Sequence, residues 1–139
     1  MFEVDSIRKS KKSKSHLVLI CDEAGIFDTF KEIKENLQDH DRIFLSLIYV
    51  IPSNLLNPLF EIELRILGKR FPQNLIIHKL KVEPLEYEAI QGLIEAVINS
   101  NTYSELRFLV KGNAGFIDYV VGVLVYLNVD KNKIVSELI

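Results

Sequence analysis

The chain has 139 residues, 48% of them apolar and 26% charged, and a formal net charge of −2. That is the balance of one globular domain with a core of its own, and it carries no overall field that would draw nucleic acid. A single cysteine, Cys21, excludes an internal disulfide framework and fits a reducing cytoplasm; the longest apolar stretch, Phe116 to Leu127, is interrupted by Asp118, Tyr119 and Gly122, so no membrane span is expected.

Residues 1–15 form a basic lead-in: Arg8, Lys9, Lys11, Lys12 and Lys14 stand against Glu3 and Asp5, and the remainder of the chain is net −5. The run is punctuated by Ser10, Ser13 and Ser15 and has neither helical nor strand period, so it reads as a solvated segment before the domain, residues 16–139. Leu17–Cys21 is a continuous apolar run of strand length, too short for the apolar region of a signal peptide. Ile26, Phe30, Ile33 and Leu37 then recur at helical spacing, with Lys31, Glu32, Lys34 and Glu35 on the wet side. Arg42 to Val50 reads as a second strand, followed by a loop marked by Pro52, Asn54, Asn57 and Pro58. Leu59, Ile62, Ile66 and Leu67 support a helix ending near Gly68-Lys69-Arg70, and Leu75–His78 a third strand. Pro84 opens a helix striped by Ile90, Leu93, Ile94 and Val97; Leu106–Val110 is a fourth strand; Phe116, Val120, Val123, Leu124 and Leu127 stripe a last helix before a short strand at Ile134-Val135.

Alternation of buried strands with helices predicts an α/β fold: a three-layer, Rossmann-like, doubly wound sheet of five parallel strands in the order 3-2-1-4-5. In such a sheet ligands bind beyond the carboxyl ends of the strands, where strand order reverses. Two loops have the right composition for that place: Asp22-Glu23-Ala24-Gly25 after the first strand, and Lys111-Gly112-Asn113-Ala114-Gly115 after the fourth. Glycine allows a close backbone approach to a ligand, and the amides that open the following helix can face an anion; each glycine is also compatible with an ordinary tight turn.

These stretches resemble the nicotinamide-dinucleotide-binding domain of the ferredoxin–NADP reductase family. The family shows a strand followed by Gly-Gly-Thr-Gly-Ile-Thr-Pro; here the strand runs into Asp22-Glu23-Ala24-Gly25-Ile26-Phe27-Asp28. Leu59-Phe60-Glu61-Ile62-Glu63-Leu64, with Phe71-Pro72-Gln73-Asn74 beyond it, resembles the family's next helix and its continuation. The family's Cys-Gly-Pro-Pro-x-Met, helix, Gly-Val and final Glu-x-Phe align with Lys111–Phe116, Asn128-Val129 and Glu137-Leu138-Ile139. The resemblance implies binding of NAD or NADP at Ala24, Gly25, Ile26, Lys111, Gly112, Asn113, Ala114 and Gly115, with backbone amides on the pyrophosphate and Lys111 adding charge.

The departures from the pattern have physical content. Ala24 has no hydroxyl for a dinucleotide, Asp22 and Glu23 put negative charge where a pyrophosphate would sit or else cap a helix dipole, Lys111 stands in place of the family cysteine, and Ile139 in place of the aromatic residue that covers the flavin. The family's flavin-binding Arg-x-Tyr-Ser/Thr motif is absent, so FAD would come only from a partner, a flavoprotein or electron-transfer protein. Two readings follow: an NAD(P)-binding reductase component that needs this partner, or a non-catalytic relative acting as a protein-interaction module. Other chemistries lack their signatures. There is no Gly-x-Gly-x-x-Gly, P-loop or Gly-x-Ser-x-Gly elbow, and His16, His40 and His78 have no metal-ligand spacing. Phe27, Phe30, Phe60, Phe116, Tyr119 and Tyr126 read as core packing rather than base stacking.

Overall fold

Runs of Val, Leu and Ile with no polar alternation form strands only when both faces of the sheet are covered, and the architecture supplies that cover. The computed structural model describes residues 15–39, 41–83 and 87–139. Its element order is β1 (Ser15–Cys21), α1 (Ile26–Leu37), β2 (Ile43–Pro52), α2 (Glu61–Arg70), β3 (Leu75–Val82), α3 (Glu88–Ser100), β4 (Glu105–Gly112), α4 (Ala114–Tyr126) and β5 (Ile134–Leu138). The sheet is parallel throughout, in the order β3-β2-β1-β4-β5, as the alternation predicted. The strands run further than their apolar cores alone indicated, to Pro52, Val82 and Gly112. The lead-in to Lys14, His40 and the helix-opening Pro84 lie outside the described residues.

The central strand divides two cores. Val18 and Ile20 face α3 and α4 with Ile48, Val50, Phe108 and Val110. Leu19 and Cys21 face α1 and α2 with Leu45, Leu47, Tyr49 and Leu109. Each of these β1 residues is fully buried, so truncating one, Ile20→Ala for instance, costs about 2–5 kcal/mol.

Register sets the functional edge. Cys21 lies between Tyr49 on β2 and Lys111 on β4, so β1 and β4 end level with one another and their loops leave the sheet side by side. Local chemistry fixes the two helices that follow. Asn113 is an extended N-cap whose Oδ1 accepts the Phe116 N–H at 2.9 Å. At the far end of α4, Asn128 adopts φ 68°. The Val129 N–H reaches the Leu124 carbonyl and the Asn128 N–H the Val125 carbonyl, a left-handed helix stop in which asparagine replaces the glycine of the reductase pattern. Phe60, before α2, takes φ 63°; its ring stacks on Phe30 at 4.4 Å, a contact that helps hold this uncommon backbone conformation.

Two expectations need correction. Leu59, Ile62 and Ile66 are exposed, and Leu64 is the α2 residue that enters the core. Phe27 and Tyr126 are exposed as well, so these two aromatics do not pack the interior.

Candidate functional site

Glycine at position 25 is required by the neighbouring loop. A Cβ there would stand 2.2 Å from the Lys111 carbonyl oxygen and 3.0 Å from the Gly112 nitrogen. A Cβ at Gly112 would stand 2.6 Å from Asp22 Oδ1. The β1–α1 and β4–α4 loops are thus in backbone contact at the point where strand order reverses, the place that the sequence assigned to a ligand.

That contact is closed by a side chain. Asp22 is only 8% exposed. Its Oδ1 accepts the Gly25 N–H at 2.9 Å, and its Oδ2 accepts the Asn113 N–H at 3.1 Å. Both donors open helices, so the carboxylate sits between two positive helix ends. Thr29 completes the first turn of α1 by donating its hydroxyl hydrogen to the Gly25 carbonyl at 2.8 Å.

The proposed ligand residues separate into three groups. Gly25, Gly112 and Asn113 converge on Asp22. Ala24 is exposed in the turn, Ile26 is buried, and Ala114 and Gly115 are exposed at the start of α4. Lys111 points to the other side: its side chain is 6% exposed and its Nζ lies 3.7 Å from Glu32 on α1 and 3.4 Å from Glu137 on β5. Two carboxylates hold the ammonium below the α1 face. Ile139 donates its N–H to the Gly112 carbonyl at 3.0 Å, which ties the end of β5 to the same loop.

Beside the clasp, on the α3–α4 face, lies a cavity of about 170 Å³. Val50, Pro52, Val82 and Phe116 give it an apolar floor, Tyr87 and Asn113 line it, and Asp22, Glu23 and Glu83 supply carboxylates. The Ser53 hydroxyl donates to Glu83, and the Tyr119 hydroxyl donates to the Tyr87 carbonyl at 2.8 Å. Among the described residues no cationic side chain lines this cavity.

The remaining reactive side chains lie elsewhere or are inert. Cys21 is fully buried, and burial pushes its thiol up to about 12. At the opposite edge of the sheet, buried His16 lies 2.7 Å from Ser46 Oγ through Nε2 and 3.0 Å from Asn101 Oδ1 through Nδ1. Asn101 Nδ2 donates to the Tyr103 carbonyl, so its Oδ1 receives the His16 Nδ1–H and Nε2 accepts the serine hydroxyl hydrogen. This trio fastens β1, β2 and the α3–β4 loop. Among the described residues no group of His, Cys, Asp and Glu could hold a metal ion, and no helix is long and apolar enough to cross a membrane.

Solved structures share this fold. The chain superposes with a TM-score of 0.71 and 15% identity on the CS-b5R domains of human Ncb5or in its NAD+ form, covering 92% of this chain and 38% of that one. It superposes at 0.70 and 16% identity on the flavohemoglobin of Malassezia yamatoensis with bound FAD and heme, covering 91% and 32%. For the ferredoxin-NADP+ reductase of Plasmodium falciparum the TM-score is 0.67 at 17% identity, covering 98% and 55%.

The fold is that of the dinucleotide-binding domain of the ferredoxin–NADP reductase family.

The chain spans between about a third and about half of the length of these structures. No family model matches the sequence, and no curated protein matches it. The reductase-type scaffold is therefore kept at a level of identity where residues of the two loops are free to differ. The Asp22 clasp was only half visible beforehand: a carboxylate before a helix predicts capping, whereas its bond to Asn113 joins loops that no local pattern connects.

Proposed function

We propose that this chain keeps the fold of a reductase-type dinucleotide-binding domain with its phosphate cradle closed by its own Asp22, and that it acts through its surface as a non-catalytic interaction module. The observation that carries this reading is the pair of hydrogen bonds from Gly25 and Asn113 to the two Asp22 oxygens. Those are the amides that a pyrophosphate at the loop junction would need.

Magnitudes support it. A phosphate charge brought within about 4 Å of the Asp22 carboxylate meets roughly 4 kcal/mol of repulsion at an effective dielectric of about 20. A hydrogen bond to a charged acceptor returns about 1.5–3 kcal/mol, and two of those donors already have one. Lys111, the cation that would offset the repulsion, is engaged by Glu32 and Glu137. Glu23 and Glu83 add further negative charge beside the cavity. The residues present do not fit a pyrophosphate at this junction.

One observation favours the second reading, an NAD(P)-binding component that works with a separate flavoprotein carrying FAD. The loops meet at the switch point beside a cavity with an apolar floor, and Ala114 and Gly115 lie exposed in the first turn of α4, where helix amides have no acceptor within the helix. Thermal unfolding in the presence of NADH or NADPH separates the two. The first reading expects no change in Tm at millimolar dinucleotide; the second expects a saturable rise.

A further inference from the structure

The His16–Ser46–Asn101 trio has a chemical reading beyond the fastening of strands. Ser46 stands in β2 between Val18 on β1 and Ile76 on β3. Its hydroxyl donates to His16 Nε2 at 2.7 Å, while His16 Nδ1–H donates to Asn101 Oδ1 at 3.0 Å. Asn101 is fixed in turn: its Nδ2 donates to the Tyr103 carbonyl, and its Oδ1 also accepts the Tyr103 N–H at 3.2 Å. The rings of Phe44 and Tyr103 meet the imidazole edge to face, with centroids at 4.9 and 5.9 Å, and stack on one another. A serine bonded to a histidine whose other nitrogen is held by a third side chain is the arrangement that activates a hydroxyl for nucleophilic attack.

Ser46 also has space before it. It lines a cavity of about 280 Å³ between β2, β3 and α3. Phe44, Ile76 and Leu93 make the walls apolar, and Ala96, which is exposed, borders the same space. His78 lines it too, and among the described residues this imidazole makes no hydrogen bond. Burial lowers the pKa of both histidines, so at neutral pH His16 can take a proton and His78 keeps one N–H to donate. β2 is paired on both sides, which commits its amides to the sheet. His78 is therefore the donor that faces a developing oxyanion. One side-chain donor in place of a pair of amides restricts the chemistry to acyl groups with good leaving groups.

We propose that Ser46 is an acyl-accepting nucleophile, with His16 as its base and Asn101 as the positioning residue, and that the cavity takes the apolar part of an activated carboxylic ester, an aryl ester above all. Ser46 Oγ attacks the ester carbonyl carbon and its proton passes to His16 Nε2. The tetrahedral adduct then collapses, the bond to the leaving oxygen breaks, and that oxygen takes the proton from His16. The products are acyl-Ser46 and the free phenol. The site lies at the other end of the strands from the Asp22 clasp. It stands whether or not the crevice takes a dinucleotide, and the non-catalytic reading of that crevice does not bear on it.

The test treats the full chain with p-nitrophenyl acetate, follows nitrophenolate release and locates the acetyl group by peptide mass spectrometry. The native chain is expected to acquire acetyl on Ser46, whereas ethyl acetate leaves Ser46 unmodified. His16→Gln slows acetylation of Ser46 about a hundredfold or more. Asn101→Ala slows it as well, and Asn101→Asp, which keeps an oxygen acceptor for Nδ1–H, restores it. Ala96→Phe, at an exposed position outside the trio, fills the cavity and abolishes acetylation of Ser46 with the Tm unchanged. Acetyl groups found on lysines alone would overturn the proposal. So would Ser46 acetylated at the native rate in His16→Gln or Ala96→Phe, or an Asn101→Asp chain no faster than Asn101→Ala. None of these results bears on dinucleotide binding, which the thermal test reads separately.

Discussion

The Asp22 carboxylate accepts the N–H of Asn113 at 3.1 Å, across 91 positions of sequence, while its other oxygen holds Gly25 three residues away at 2.9 Å. One side chain thus satisfies the first amides of two helix starts and joins the loops on either side of the topological switch point. In a dinucleotide-binding fold this is the place for a ligand anion; here the chain supplies the anion itself.

Asp22→Ala leaves the Asn113 N–H without its acceptor and the Gly25 N–H with only the Asp22 backbone carbonyl at 3.2 Å, and is expected to lower the stability by about 1–3 kcal/mol in urea unfolding. Gly112→Ala drives a methyl group to 2.6 Å from Asp22 Oδ1 and breaks the same clasp. The double variant Asp22→Ala/Gly112→Ala is therefore expected to lose less than the sum of the singles. Gly25→Ala is the most damaging of the set, because its Cβ would meet the Lys111 carbonyl at 2.2 Å, backbone that no rotamer change can clear.

Lys111 is 5% exposed but its two carboxylate partners are partly solvated, at 33% and 49%. Replacing it with methionine keeps the packed stem and strands no buried charge. Lys111→Met is expected to change the unfolding free energy by no more than about 1 kcal/mol, whereas Lys111→Glu gathers three carboxylates and lowers the Tm sharply.

His16 makes the fold sensitive to acid. Burial lowers its pKa below the ordinary 6.5, with the Asn101 hydrogen bond opposing in part, and burial lowers that of His78 too. The folded chain then binds these protons less readily than the unfolded chain. Their contribution to stability is complete above pH 6.5 and is lost as pH falls through and below that value. The Tm is expected to drop between pH 7.5 and 5.5, and His16→Gln is expected to flatten that slope while lowering the plateau.

Cys21 is fully buried and its thiol is raised to about 12, so it carries almost no thiolate at neutral pH. Iodoacetamide is expected to leave it unmodified in the native protein and to alkylate it once urea unfolds the chain. Mass spectrometry before and after unfolding reads the difference.

The architecture was legible because the five buried strands announce themselves as unbroken apolar runs, and alternation with helices leaves few topologies. Convergence of the glycine loops followed from the same rule. Helix α2 misled: Leu59, Ile62 and Ile66 have the spacing of a core stripe, and periodicity identifies a face without saying whether it turns to the sheet or to solvent. Buried Leu64 and half-buried Leu67 define the other side. The direction of Lys111 was equally hidden, since residues on a strand alternate between faces and only the register with Cys21 places it toward α1. The His16–Ser46–Asn101 trio joins three distant segments, a relation that no single-sequence pattern encodes.

Calorimetric titration of the native chain with NADH and with NADPH, alongside Asp22→Gly, bears most directly on the claim that Asp22 closes the cradle. The native chain is expected to give no saturable heat up to millimolar dinucleotide, and Asp22→Gly, with the two hydrogen bonds to the carboxylate and its charge removed, a measurable binding isotherm. Saturable binding by the native chain that Asp22→Gly leaves unchanged would contradict it.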